Sequence, residues 1–142
     1  GTANQAFRIP SAGGAPVFQT VVATQAEMEA ASSTTVYGSP GRTQYHPGVA
    51  KVWVKFTIAG VVQSSLNVTS ITDTGAGDWT VNFTTAFSVS DQAGLANVQD
   101  TGSRFAQVRT MATTSATIFA WSDTGVQADP STAVYFAAFG DQ

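Results

Sequence analysis

The sequence predicts an all-β fold: an antiparallel β-sandwich or barrel-like module with one short N-terminal helix and an extended N-terminal arm. Short runs rich in Val, Ile, Phe and Trp recur from residue 50 onward, at the spacing of roughly 8–12 residues that is typical of sandwiches and barrels. Apolar and polar residues alternate in several of these runs, and Gly, Pro and Asp separate them. We therefore expect an attachment arm with a strand (1–23), a short helix and connecting loop (24–48), and a β-sandwich domain (49–142).

The first segment, residues 1–16, predicts an extended arm, because two adjacent glycines make it flexible and two prolines prevent a continuous helix. Phe7 and Ile9 alternate across Arg8, as in a short strand or in a peptide that lies on a neighbouring protein. Two interpretations stay open: a disordered terminus, and an arm that anchors the module to a particle through these three residues. A strand is expected at Val17–Ala23.

A single short helix is expected next. Thr24 is a good N-cap, and Glu27 follows it at the spacing of a capping box. Residues 25–31 are good helix formers, so we place about two turns of helix there. Prolines and glycines punctuate residues 36–48, which we predict to be a loop.

The clearest strand begins at residue 50. Val52, Val54, Phe56 and Ile58 fall on one face of it, and Trp53 falls on the opposite face between two lysines. A tryptophan is unusual on a solvated face, which indicates that this second face is covered too. Further strands are expected at residues 64–72, 78–84, 93–100, 104–113, 116–122 and 132–139, with a glycine-containing hairpin at 73–77. Trp79 and Trp121 lie on apolar strand faces and are assigned to the core.

Composition argues against several classes of function. Only 11% of the 142 residues are charged, the net charge is -3, and the six Lys and Arg are scattered singly. This pattern offers no basic stripe for nucleic acid, and no apolar run approaches the about 20 residues of a membrane-spanning helix. The chain has no cysteine, which excludes disulfides and thiolate metal sites. We expect no cofactor, no nucleic-acid partner and no membrane insertion.

The residues also argue against catalysis. His46 is the single histidine, and it lacks a second His, nearby carboxylates or a nucleophile-elbow motif, so we expect it to stabilise a turn. Asp73 and Asp78 flank the hairpin glycines and could share Ca²⁺ or act as an acid–base pair, but their spacing does not match an EF-hand and Asp is favoured in turns. Asp123 and Asp129 have the same explanation. We therefore predict a non-enzymatic protein.

Exposed aromatic rings are the remaining candidates for function. Stacking on a sugar is open to six side chains, each of which is more often a core residue: Tyr37, Tyr45, Trp53, Trp79, Trp121 and Tyr135. Tyr45 and Trp53 are the better candidates for a subunit contact. The predicted subunit interface comprises Glu27, Met28, Tyr45, His46 and Trp53.

Two sequence blocks resemble a known family. Residues 24–56 (TQAEMEAASSTTVYGSPGRTQYHPGVAKVWVKF) and 65–84 (SLNVTSITDTGAGDWTVNFT) are similar, in this order, to motifs recurrent in bacteriophage tail fibres and related virion proteins. The family pattern usually has Thr-Pro where this chain has Ser39-Pro40. The resemblance implies a host-facing fibre or small appendage on the virion surface, usually a homotrimer, and it carries no catalytic residues to transfer.

These observations leave three hypotheses. The first is a tail-fibre or tail-tip module that attaches to the host, with other virion proteins and a host surface glycan or receptor as partners. Its distal surface would be built from the loops at Asp73–Asp78, Asp91–Gly94 and Asp123–Asp129. The second is a capsid decoration or head-fibre protein anchored through residues 1–23. The third, a carbohydrate-active enzyme, needs paired carboxylates in a cleft and is disfavoured by the small number of acidic residues.

Overall fold

The structure is a computed structural model that describes residues 5–8, 17–20, 22–31 and 36–142. The chain divides into two compact units, Gly1–Val49 and Ala50–Gln142. The larger unit consists of two antiparallel four-stranded sheets that pack together, which confirms the predicted all-β sandwich.

The described residues of the first unit form a two-stranded ribbon and two short helices. Strand β1 (Gln5–Arg8) pairs antiparallel with β2 (Val17–Thr20). Helix α1 spans Gln25–Ala30, and helix α2 spans Pro40–Thr43 within the stretch for which we predicted a loop. That prediction was wrong for these four residues, because proline is well tolerated in the first turn of a helix.

The N-terminus of α1 has the predicted capping box. The backbone N–H of Glu27 donates to the Thr24 hydroxyl, and the backbone N–H of Thr24 donates to a carboxylate oxygen of Glu27 at 2.8 Å. The N–H of Thr24 lowers the pKa of the Glu27 carboxyl, and the Thr24 hydroxyl adds to the effect. The helix ends at Ala31, whose backbone is left-handed with φ of 49°.

The second unit contains eight strands. In chain order they are β3 (Val52–Thr57), β4 (Val62–Leu66), β5 (Val68–Gly75), β6 (Asp78–Phe83), β7 (Ala93–Gln99), β8 (Arg104–Met111), β9 (Ser115–Ser122) and β10 (Ala133–Phe139). One sheet has the order β4-β3-β10-β7, and the other has the order β5-β6-β9-β8. All pairs of neighbours are antiparallel.

The core lies between the two sheets and follows the predicted alternation. The apolar face of β3 is fully or almost fully buried, as are Trp79, Val81 and Phe83 on β6. Phe56 and Trp79 meet edge to face with ring centroids 5.8 Å apart. The Trp79 indole N–H donates to the carbonyl of Ile58 at 2.9 Å, so burial of the ring leaves no polar atom unpaired.

Asn67 divides the predicted strand at residues 64–72 into two strands in different sheets. Its φ of 59° turns the chain, so that β4 belongs to one sheet and β5 to the other. The Asn67 side chain accepts from the N–H of Thr85 at 2.6 Å and donates to the carbonyl of Thr85 at 3.1 Å. Asn tolerates the left-handed region better than most residues, which suits it to this corner.

Trp121 is not a core residue, contrary to the prediction, and Ile58 does not continue the buried face of β3 as its alternation predicted. On β9 the side chains that join the core between the sheets are Ala116, Ile118 and Ala120, so strand alternation directs Trp121 to the outer face, where it is half-buried beside Phe119. Ile58 lies beyond the end of β3 in the turn to β4 and is exposed. Strand pairing, and not local apolar character, therefore determines whether these side chains face the core.

The strand registers define two opposite ends of the sandwich, which we call the tip and the base. The tip carries the connections at residues 58–61, 76–77, 100–103 and 123–132. The base carries the Asn67 corner and the connections at 84–92 and 112–114. Strand β3 begins at the base, where the N–H of residue 51 donates to the carbonyl of Ala138, so the second unit starts at this end of the sandwich.

Candidate functional site

The β5–β6 turn at the tip is locked onto the β9–β10 connection. The N–H of Gly77 donates to a carboxylate oxygen of Asp129 at 2.6 Å. The Gly77 carbonyl accepts from the Ala120 N–H at 2.9 Å and from the Gln127 side-chain amide at 3.1 Å. Because both the N–H and the carbonyl of Gly77 are hydrogen-bonded, the two peptide units that meet at this residue have little freedom, and this part of the tip is preorganised.

The four aspartates predicted for the distal loops all belong to the tip or to the strand ends beside it. Asp73 accepts the N–H of Gly75 at 3.1 Å, which is the local turn contact expected of this carboxylate. Asp129 instead accepts the N–H of Gly77, 52 residues away in another turn. Asp78 begins β6 and is partly buried, whereas Asp123 is exposed. Of the three loops predicted to build the distal surface, the one at Asp91–Gly94 lies at the base instead, because Ala93 pairs with Phe139.

The β7–β8 connection adds a second fixed feature at the tip. Arg104 forms a salt bridge with Asp100, with 2.6 Å between Nε and the carboxylate oxygen. The other carboxylate oxygen accepts the N–H of Gly102 at 3.0 Å. This N–H is the largest cause of the lowered pKa of the Asp100 carboxyl.

The second candidate surface is the outer face of the β4-β3-β10-β7 sheet, which we call the Trp53 face. It presents Leu66, Trp53, Ala137 and Leu95 in one row across the four strands, with Tyr135 in the next row. The large apolar members are exposed to 47% (Leu66), 40% (Trp53), 65% (Leu95) and 36% (Tyr135). A shallow groove of about 600 Å³ runs across this face.

The polar residues of the Trp53 face are arranged around Tyr135. The ammonium of Lys55 lies over the Tyr135 ring, 5.5 Å from its centroid. The Tyr135 hydroxyl donates to the side-chain oxygen of Gln99 at 2.7 Å. Ring and hydroxyl are therefore both engaged, and the tyrosine is held in one orientation.

The other residues of the predicted subunit interface lie in the first unit. Glu27 and Met28, on α1, and His46 line a depression of about 200 Å³. The His46 ring accepts the N–H of Gly48 at 3.0 Å, which is a turn-stabilising role. The guanidinium of Arg42 lies 5.9 Å from the centroid of Tyr45. Trp53 belongs to the second unit.

The predicted attachment arm is described only in part. The backbones of Phe7 and Arg8 belong to β1, where they are paired with Phe18 and Val17. Ile9 lies outside the described residues.

The sequence did not identify most of the Trp53 face. Leu95 and Tyr135 were placed in predicted strands, but neither was predicted to join Trp53 on a common surface. The alternation of each strand was visible, whereas the strand order that places β3, β10 and β7 side by side was not. Gln127, which holds the tip, was missed for the same reason.

Among the described residues, no group of three or more His, Cys, Asp or Glu side chains is placed to hold a metal ion. No helix in the described ranges is long and apolar enough to cross a membrane.

The fold and the two surfaces define a β-sandwich module with a preorganised tip and an exposed apolar sheet face. No family model, no curated protein and no solved structure matches the chain.

Proposed function

We propose that this chain is a bacteriophage virion structural protein: a tail-fibre or tail-tip module, non-enzymatic and homotrimeric, that takes part in host attachment. The observation that carries the proposal is the polarity of the sandwich. The second unit starts at the base, at residues 50–51, and the fixed connections lie at the opposite end. Such a module can be attached at one end and present a surface at the other.

The preorganised tip supports a binding role. Ordering a mobile loop on binding costs free energy, and a surface that is already ordered avoids most of this cost. The hydrogen bonds that Gly77 donates to Asp129 and accepts from Gln127 fix one side of the tip, and the Asp100–Arg104 pair fixes another. The expected partner is a surface glycan or receptor of the host.

The resemblance to phage appendages gains a physical explanation from the hairpin. Residues 65–84 form the end of β4, the Asn67 corner, β5 and β6, so the Asp-x-Gly-x-Gly-Asp part of the motif makes the turn at the tip. Gly77 in that turn has φ of 68° and is buried against the backbone of Ala120 and Ala128. A positive φ and the absence of space for a Cβ both require glycine at this position, which supports a structural reason for the glycine in the motif.

Immunogold labelling of whole phage particles, with antibodies to this chain, tests the proposed location. We expect label on the tail or its fibres. Label distributed over the capsid would instead support the alternative, a decoration or head-fibre protein anchored through residues 1–23. Absence of label from intact particles, with label on the purified chain as positive control, would contradict both.

Competition for adsorption tests the attachment role. The purified full chain should slow phage adsorption to host cells, and Val126→Ser at the tip should weaken this effect. Val89→Ser is the matched control, because Val89 and Val126 are exposed to 51% and 61% and lie in connections at the base and the tip. Equal effects of the two substitutions, or competition by neither the native chain nor its variants, would contradict the role of the tip.

A further inference from the structure

The Trp53 face carries more exposed apolar surface than a solvated sheet requires. Its four large side chains, Leu66, Trp53, Leu95 and Tyr135, come from four adjacent strands and form one continuous patch. Single exposed apolar residues are ordinary, but a contiguous patch marks a contact surface. Depletion of charge and enrichment in aromatic residues are also typical of the centre of protein interfaces.

The size of the face fits a specific protein contact. Four strands about 4.8 Å apart and six residues rising about 3.3 Å each span roughly 19 Å by 20 Å, or about 400 Å² of mean plane. Two such faces in contact would cover about 800 Å² of mean plane, and the accessible surface of the side chains exceeds the mean plane. This approaches the about 1,000 Å² that a specific interface needs.

The residues of the groove favour a protein partner over a saccharide. Stacking of a sugar needs an open aromatic face, and the Lys55 ammonium already lies over the ring of Tyr135. The two most exposed members of the patch are the leucines at 65% and 47%, which have no flat ring to offer a sugar. Aliphatic side chains of this kind are suited to close packing against another protein.

The shape of the Trp53 face suits a contact with the same face of another copy of the chain. Leu95 projects, and its neighbour in the same row, Ala137, is small and forms part of the groove lining beside Trp53. A projection and a hollow next to each other on one surface allow two copies of that surface to interlock. Around a threefold axis, the projection of each copy can enter the hollow of the next copy, and the third contact closes the ring.

We infer that the Trp53 face is covered by a second copy of this chain. In the proposed homotrimer, three such faces would surround a common axis with their leucines and tryptophans packed together. The inference rests on the self-assembly part of the proposed function and is independent of host attachment. Trp53 was expected from the sequence to be covered; the structure adds the surrounding side chains.

Sedimentation equilibrium of the full chain, across a concentration series, tests this inference. The native chain should associate, and Leu95→Glu should raise its dissociation constant at least about tenfold, because a buried interface charge would have no partner. Phe105→Glu is the matched control: Phe105 is exposed to 52% on β8 of the other sheet, and its substitution should leave association unchanged. Circular dichroism of each variant verifies that the sandwich remains folded.

Several results would overturn the inference. A native chain that stays monomeric at about 100 µM, well above the dissociation constants of specific complexes, is one. Association that survives Leu95→Glu, or that is lost equally with Phe105→Glu, is another. A monomeric chain that binds a glycan array through Trp53 would assign the groove to a saccharide. Loss of adsorption competition with association intact would count against host attachment only.

Discussion

Substitution of Gly77 by alanine is the perturbation for which the structure predicts the largest effect at the tip. An alanine Cβ at this position would lie 2.6 Å from the Ala120 carbonyl oxygen and 2.7 Å from the Ala128 nitrogen. Both neighbours are backbone atoms, so neither can move aside by rotating a side chain. The β5–β6 turn would have to lift away from the β9–β10 connection.

The cost follows from two contributions. A left-handed backbone costs alanine about 1–2 kcal/mol relative to glycine. Lifting the turn also breaks two or three of the hydrogen bonds made through Gly77, each worth about 1 kcal/mol. The sum is about 3–5 kcal/mol, which for a domain of this size corresponds to a fall in Tm of at least about 12 °C.

Thermal unfolding followed by circular dichroism measures this effect, and Gly125→Ala is the matched control. Gly125 has a similar φ, 76° against 68°, but nothing lies within 4 Å of its Cβ position. It should therefore lose only the conformational contribution of about 1–2 kcal/mol. If the two variants fell in stability by the same amount, the close approach at Gly77 would not be the cause and the reasoning would be refuted.

Three further predictions concern the hydrogen bonds of the sandwich. Asp129→Ala should lower the free energy of unfolding by about 1.5–3 kcal/mol, because the Asp129 carboxylate accepts the N–H of the β5–β6 turn. Asp123→Ala, which removes an exposed carboxylate, should change the free energy of unfolding by less than about 0.5 kcal/mol. Equal losses for the two variants in denaturant titrations would contradict this prediction. Asn67→Gly should lower the free energy of unfolding only through loss of the two side-chain hydrogen bonds. Asn67→Ala should lower it further, because alanine must also adopt the left-handed φ of 59°. A glycine variant less stable than the alanine variant would contradict the role of this φ in the Asn67 corner. Because the pKa of the Asp100 carboxyl is lowered in the folded state, this carboxylate stabilises the fold at pH values above its unfolded pKa of about 3.9, and the stabilisation is lost as the pH falls through the folded pKa. Asp100→Asn should therefore make Tm depend less on pH in the acid range. An unchanged dependence of Tm on pH would show that the Gly102 contact does not stabilise the fold.

Much of the fold could be predicted from local patterns. The apolar alternation of β3 and β6 identified the buried face in both strands, and Thr24 with Glu27 identified the start of α1. These features depend on residues close together in the chain. Periodicity and capping are properties of single elements, so a sequence contains them directly.

The features that were missed depend on partners distant in the chain. Trp121 is on the outer face because β9 directs Ile118 inward against the core, which local hydrophobicity does not reveal. Asn67 ends one strand and begins another because its side chain is fixed by Thr85. The Trp53 face exists only because β3, β10 and β7 are neighbours in one sheet.

The central claim is that the sandwich is attached through its base and presents its tip. Electron microscopy of particles that carry a gold-labelled tag, inserted either in the 123–125 turn or in the 88–91 segment, tests it most directly. We predict that the first label lies farther from the body of the particle than the second. The reverse order, or two labels at the same distance, would contradict the claim.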